Sequence, residues 1–127
     1  MILLDSSVLV EHFRSKDKQA TFFYQLASNK SDFSISAVTK YEILIGSKDT
    51  TNKFWKDFFN SLQSIPFDDI VVEKAVEVYK NLKSVNKMIP LADLLIAATA
   101  LAYQILVATL NIKHFERIQD LQIIKKS

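Results

Sequence analysis

Five short apolar runs, Ile2–Leu4, Phe33–Ile35, Ser64–Phe67, Ile105–Ala108 and Leu121–Ile124, are separated by longer stretches with helical periodicity. Short strands that alternate with helices pair in parallel, and a parallel sheet must be covered on both faces. The helical stretches are Ser7–Phe13, Lys18–Ala27, Ala37–Ser47, Asn52–Leu62, Val71–Val85 and Leu91–Tyr103. Ser36 is placed to cap the third, Asp68 and Asp69 precede the fifth, and Pro90 stands where helices commonly begin. Leu91–Tyr103 is apolar nearly all round, as a buried helix should be. Lys125 and Lys126 follow the last run, where lysines guard an exposed sheet edge. The chain has one glycine and two prolines, with no Gly/Ser linker or repeat, so residues 1–127 read as a single α/β domain.

A chain of 127 residues buries roughly two thirds of its unfolded surface. Its 49% hydrophobic content and nine phenylalanines argue for a packed core. Cysteine is absent, which excludes disulfides and thiolate-bound zinc. The two histidines, His12 and His114, are too few for a His-rich metal site. Any metal must therefore be held by oxygen, which favours a hard cation such as Mg²⁺ or Mn²⁺. The net charge of +2 permits a polyanionic partner without announcing one. Asp5 interrupts the first apolar run, and no basic lead-in precedes it, unlike a signal peptide. The apolar stretch from Leu91 to Leu110 has membrane-spanning length, but it carries Asp93, Thr99, Gln104 and Thr109 and turns β-branched in its second half. A buried helix running into a buried strand explains it, and the protein is expected to be soluble and cytoplasmic, with no membrane partner.

Helix polarity brings several of the polar residues together. Crossover helices run antiparallel to the strands, so helix N-termini and strand carboxyl ends share one edge, where open α/β sheets bind ligands. Asp5 follows the first strand and Asp93 lies in the first turn after Pro90, so both stand on that edge. Asn111 reaches the same rim after the fourth strand. Glu42 lies about a turn and a half into its helix, and side chains tilted towards the N-terminus can return it to the rim. Taken singly, Asp93 reads as a helix-dipole partner, Asp5 as a turn residue, Glu42 as a solvated residue and Asn111 as a loop residue. As a set they repel one another, and a divalent cation resolves that repulsion.

The stretches ILLDSSVLV (2–10), SAVTKYEILIG (36–46), LADLLIAATAL (91–101) and LVATLNIKHFERI (106–118) resemble the PIN-domain ribonucleases, and among them the VapC-type toxins of toxin–antitoxin pairs. They occur in family order and span nearly the whole chain. The resemblance implies a PIN-like three-layer α/β/α sandwich with a short, five-stranded, mostly parallel sheet. It makes Asp5, Glu42 and Asp93 the acidic metal ligands of a Mg²⁺- or Mn²⁺-dependent endoribonuclease. Asn111 falls where the family often has a fourth acidic residue, so one charge is missing and a second metal site is in question. Ser7, Thr39 and Thr109 match small hydroxyl positions that support the ligands, although capping and turn chemistry would use the same residues. Lys87-Met88 departs from the glycine that relatives often carry before the Asp-bearing helix. Cleavage leaving a 3′-hydroxyl and a 5′-phosphate, a cognate antitoxin that blocks the site, and a homodimer are further implications of the resemblance.

Substrate grip falls to scattered cations: Lys87, Lys113 and Arg117 lie nearest the ligands in sequence, and Lys40 and Lys48 flank Glu42. His114 reads as a surface helix position. Phe54, Trp55, Phe58, Phe59 and Leu62 share one helical face, which suits core packing or, in part, a groove for an antitoxin helix. Three other readings compete. A haloacid-dehalogenase-like phosphatase also places an aspartate after its first strand, but it wants a second one where Ser7 stands. A housekeeping nuclease of the same fold, or a member that binds RNA or protein without cutting, would share all the motifs.

Overall fold

In the computed structural model, which describes residues 1–29 and 31–127, the five apolar runs form one sheet. Its strands are β1 (Ile2–Leu4), β2 (Phe33–Ser36), β3 (Gln63–Ile65), β4 (Leu106–Ala108) and β5 (Ile123–Ile124). They lie in the order β3-β2-β1-β4-β5, and every pairing is parallel. Ile2 stands opposite both Phe33 and Leu106, so β1 is the central strand. The chain builds outwards from β1 to β3 on one side, then returns to lay β4 and β5 on the other. The switch point between β1 and β4 opens a crevice at the carboxyl ends of those strands.

Among the described residues seven α-helices cover the sheet: α1 (Ser6–Arg14), α2 (Phe22–Ser28), α3 (Ala37–Gly46), α4 (Asp49–Asn60), α5 (Asp69–Ser84), α6 (Leu91–Tyr103) and α7 (Ile112–Phe115). The strands' alternation sorts their side chains into two cores. Leu3 and Val107 pack with Val71, Leu82, Ile96 and Phe115 from α5, α6 and α7. Ile2, Leu4 and Ala108 pack with Val8, Leu9, Phe22 and Phe59 from the other helices. Each large aliphatic side chain fully buried in these layers stabilises the fold by roughly 1.5–3 kcal/mol before entropy is counted.

Several boundaries differ from the sequence pattern for local reasons. The stretch Lys18–Ala27 divides into a 3₁₀ turn, Lys18–Ala20, and α2, because Thr21 turns extended and accepts a hydrogen bond from the Tyr24 amide at 3.2 Å. Helix α4 starts ahead of Asn52, where the Lys48 amide donates to Thr51 Oγ1 at 3.2 Å. Strand β3 ends at Ile65 because Pro66 has no N–H for the ladder. The short helix α7 has no counterpart among the periodic stretches. Helix α6 ends where the pattern ends: Gln104 takes a left-handed conformation (φ 54°) and turns the chain into β4. No helix among the described residues is long and apolar enough to cross a membrane.

Candidate metal centre

The site is built at the β1–β4 crevice. Asp5 leaves β1 as the residue before α1, and its amide donates to Ala108 O of β4 at 3.0 Å. Its side chain is wholly buried. Oδ2 accepts hydrogen bonds from Ser7 Oγ (2.6 Å) and Thr109 Oγ1 (2.8 Å). The same two hydroxyls accept from the chain beyond β4, Ser7 Oγ from the Leu110 amide and Thr109 Oγ1 from the Asn111 amide, each at 3.0 Å. Asp5 Oδ1, by contrast, is buried with no partner among the described residues. Burial raises the Asp5 carboxyl above its ordinary range; the Ser7 and Thr109 bonds oppose that shift, and repulsion from Asp93 adds to it.

Glu42 reaches the rim from α3, where Ser6 Oγ donates to its Oε1 at 3.1 Å. Its carboxyl is also raised, by burial first and then by Asp5 and Asp93, with the Ser6 bond opposing. Asp93, buried in the first turn of α6, lies 2.7 Å from His114 Nδ1 through its Oδ2. The three carboxylates are thus close enough to feel one another. Among the described residues, however, no three such groups converge tightly enough to enclose an ion by themselves. Ser6 and His114 hold two of the three side chains in hydrogen bonds of their own.

The sequence-predicted residues therefore separate into groups. Asp5, Ser7 and Thr109 form one hydrogen-bonded unit, with Glu42 and Asp93 beside it. Asn111 is exposed at the start of α7, and its side chain caps nothing. Thr39 bonds only to Ser36 in the cap of α3, Oγ to Oγ1 at 3.2 Å, so it steadies the helix that carries Glu42 without touching a carboxylate. Lys87, Lys113 and Arg117 line one cleft of about 660 Å³ with Asn86 and Glu116. Arg117 is anchored there by a 2.9 Å bond to Met88 O. Sequence reasoning missed Ser6, whose only signal was its place beside Asp5. His114 has the partly exposed helix position expected for it, and the structure adds a bond from its ring to Asp93, because α7 packs against α6 in a way that no periodicity encodes.

An unpaired, buried oxygen on Asp5, beside two further carboxylates, fits a divalent cation, and an all-oxygen donor set fits a hard one. Asp5, Asp93 and Glu42 are the carboxylates beside this crevice that could serve as its ligands.

The family model described as "PIN domain" matches residues 2–121. The chain is 25% identical over 122 residues to Ribonuclease VapC19 of Mycobacterium tuberculosis, covering 96% of this chain and 98% of that one. It is 29% identical over 120 residues to Ribonuclease VapC1 of Methanocaldococcus jannaschii, covering 94% and 82%. Among solved structures, it superimposes with a TM-score of 0.83 and 27% identity, over 100% of both chains, on a chain of VapBC2 from Rickettsia felis bound to a DNA fragment from their promoter.

Proposed function

The chain belongs to the PIN-domain family, and on that premise we propose that it is a metal-dependent endoribonuclease, the toxin of a toxin–antitoxin pair. The observation that carries the reading is the buried, unpartnered Oδ1 of Asp5 in a crevice shared with Glu42 and Asp93. Its similarity to proteins called ribonucleases supports RNA as the substrate. Residues 1–127 act as one domain, with two cores on a single sheet.

Asp5 and Asp93 would hold one Mg²⁺ or Mn²⁺, with Glu42 as a further ligand or as the group that orients the attacking water. A bound divalent cation eases deprotonation of water and offsets the charge that builds on the phosphate during in-line attack. Ser7 and Thr109 fix Oδ2 of Asp5 and leave Oδ1 for the cation. Asn111 contributes a neutral carbonyl at most, so a single firmly held cation is expected. Lys87, Lys113 and Arg117 take the RNA backbone in the neighbouring cleft. Two protein partners complete the reading: a cognate antitoxin that blocks the site, as the VapBC assemblies support, and a second copy of the chain. Exposed Tyr41, Ile45 and Leu91 offer apolar surface for such contacts.

Cleavage of single-stranded RNA in Mg²⁺, followed by gel, tests the reading. Asp93→Asn is expected to abolish cleavage with the fold intact by circular dichroism, and EDTA to do the same to the wild type. Full activity in EDTA would sink the mechanism.

A further inference from the structure

Asp93 is the third residue of α6, the position from which an acidic side chain can reach back to the amide of the helix-capping residue. Here that residue is Pro90, which has no N–H to offer. The start of the helix therefore leaves the carboxylate without its usual backbone anchor, although Asp93 is buried. Its hydrogen-bond partner among the described residues is His114, whose Nδ1 lies 2.7 Å from Oδ2. An ionised carboxylate only accepts hydrogen bonds, so Nδ1 carries the hydrogen and donates it.

The other wall of the crevice is built on the same plan. Oδ2 of Asp5 is held by Ser7 and Thr109, and Oδ1 is left over. His114 does for Asp93 what those two hydroxyls do for Asp5: it takes Oδ2 and leaves Oδ1. The fold does not need this bond to keep α7 in place. Phe115 is wholly buried and Ile118 nearly so, both in the core shared with α5 and α6. Arg117 adds its bond to Met88 O in the loop ahead of α6. The core roots α7 through Phe115, and the residue before it is carried to Asp93 with its ring still 38% exposed.

We infer that His114 is a positioning residue, whose Nδ1–H fixes the Asp93 carboxylate so that Oδ1 is presented to the cation. The inference rests on the metal-dependent reading of the site. It makes the imidazole the support of a ligand and not itself a ligand, in keeping with an all-oxygen donor set.

Calorimetric titration of the full chain with Mn²⁺ tests this, beside RNA cleavage over a series of Mg²⁺ concentrations and thermal unfolding in EDTA. His114→Phe keeps a ring and removes the donor. His114→Asn returns a donor, because its side-chain amide can stand near the place of Nδ1. His114→Phe should weaken Mn²⁺ binding about 10- to 100-fold, the usual effect of losing a ligand's supporting bond, and its cleavage defect should shrink as Mg²⁺ is raised. His114→Asn should bind Mn²⁺ more tightly than His114→Phe. If the larger ring prevents folding in EDTA, His114→Ala takes its place with the same expected loss. Wild-type Mn²⁺ affinity in the donor-less variant would overturn the inference; a lower melting point in EDTA would then make the bond structural, and a cleavage defect that no Mg²⁺ concentration relieves would move the ring's role to the RNA. Tighter Mn²⁺ binding would overturn it too, since the ring would be competing with the cation for Asp93. So would equal losses in His114→Phe and His114→Asn, which would point to packing and not to the donor. A wild type that binds no Mn²⁺ would remove the metal reading and this inference together, whereas equal binding by wild type and His114→Phe would remove the inference alone.

Discussion

Asp5 and Glu11 flank the first turns of α1, yet the fold treats their carboxylates in opposite ways. Glu11 uses both oxygens: Oε1 accepts from the Phe22 amide at 2.7 Å and Oε2 pairs with Lys126 at 2.9 Å. Burial alone would raise its carboxyl, but those bonds outweigh it and hold the group below its ordinary value. It thereby ties α1 to the start of α2 and to the chain beyond β5. Among the described residues Asp5 pairs with no cation and keeps one buried oxygen idle, and burial raises its carboxyl. One region is arranged for stability. The other gives stability up, and on the proposed function its uncompensated charge serves a cation.

The contrast can be broken most sharply by swapping the two charges for neutral groups. Asp5→Asn should cost cleavage well over 100-fold, more than the 10–100-fold typical of a ligand's supporting bonds. Its thermal midpoint in EDTA near neutral pH should not fall below the wild type's. Glu11→Ala should do the reverse, lowering unfolding stability by about 1–2 kcal/mol with cleavage unchanged. A chemical denaturation curve beside a rate assay reads both variants. A smaller effect is expected from Thr109→Val, which keeps the buried volume and removes one bond to Oδ2: metal affinity by calorimetry should weaken about 10- to 100-fold.

The smallest effect is in the pH dependence, and its signs differ between the two regions. A carboxyl raised in the folded state keeps its proton when the unfolded chain has lost it. Asp5 therefore lowers stability as pH rises from the ordinary aspartate value through its raised one. Glu11, lowered in the folded state, supports stability above the ordinary glutamate value and loses that support as pH falls through its depressed one. In EDTA, Asp5→Asn should flatten the first slope and Glu11→Gln the second, as followed by midpoint against pH.

Much of this was legible in the amino-acid order. The bounds of β1 and α6 match their apolar patterns residue for residue, and helix polarity directs Asp5 and Asp93 to one rim, with side-chain tilt returning Glu42 to it. What escaped depends on side-chain direction and on packing between elements remote in sequence. Ser6 and Ser7 are adjacent, yet one serves Glu42 and the other Asp5, because successive helical residues point about 100° apart. The contact of His114 with Asp93 needs the placement of α7 against α6. The stripe Phe54, Trp55, Phe58, Phe59 and Leu62 looked uniform, but its members range from buried to exposed, since a helix at the edge of a core meets it with only part of a face. Lys126 suited a guard on the edge strand, and the structure adds that it closes on Glu11.

The hydroxyl unit of Ser7 and Thr109 has a consequence for when the site comes into being. Strand β4 forms one wall of the crevice, and it is made only after every other strand except β5. During synthesis from the N-terminus, Asp5 and Ser7 emerge early, but Asp5 waits for Thr109 and Ser7 for the Leu110 amide. A nascent chain that has passed α6 but not β4 carries all three acidic residues and is expected to be inert, as cleavage by a fragment ending at Tyr103 would measure. On the proposed function, chain order thus delays assembly of the site until β4 and Thr109 have been made.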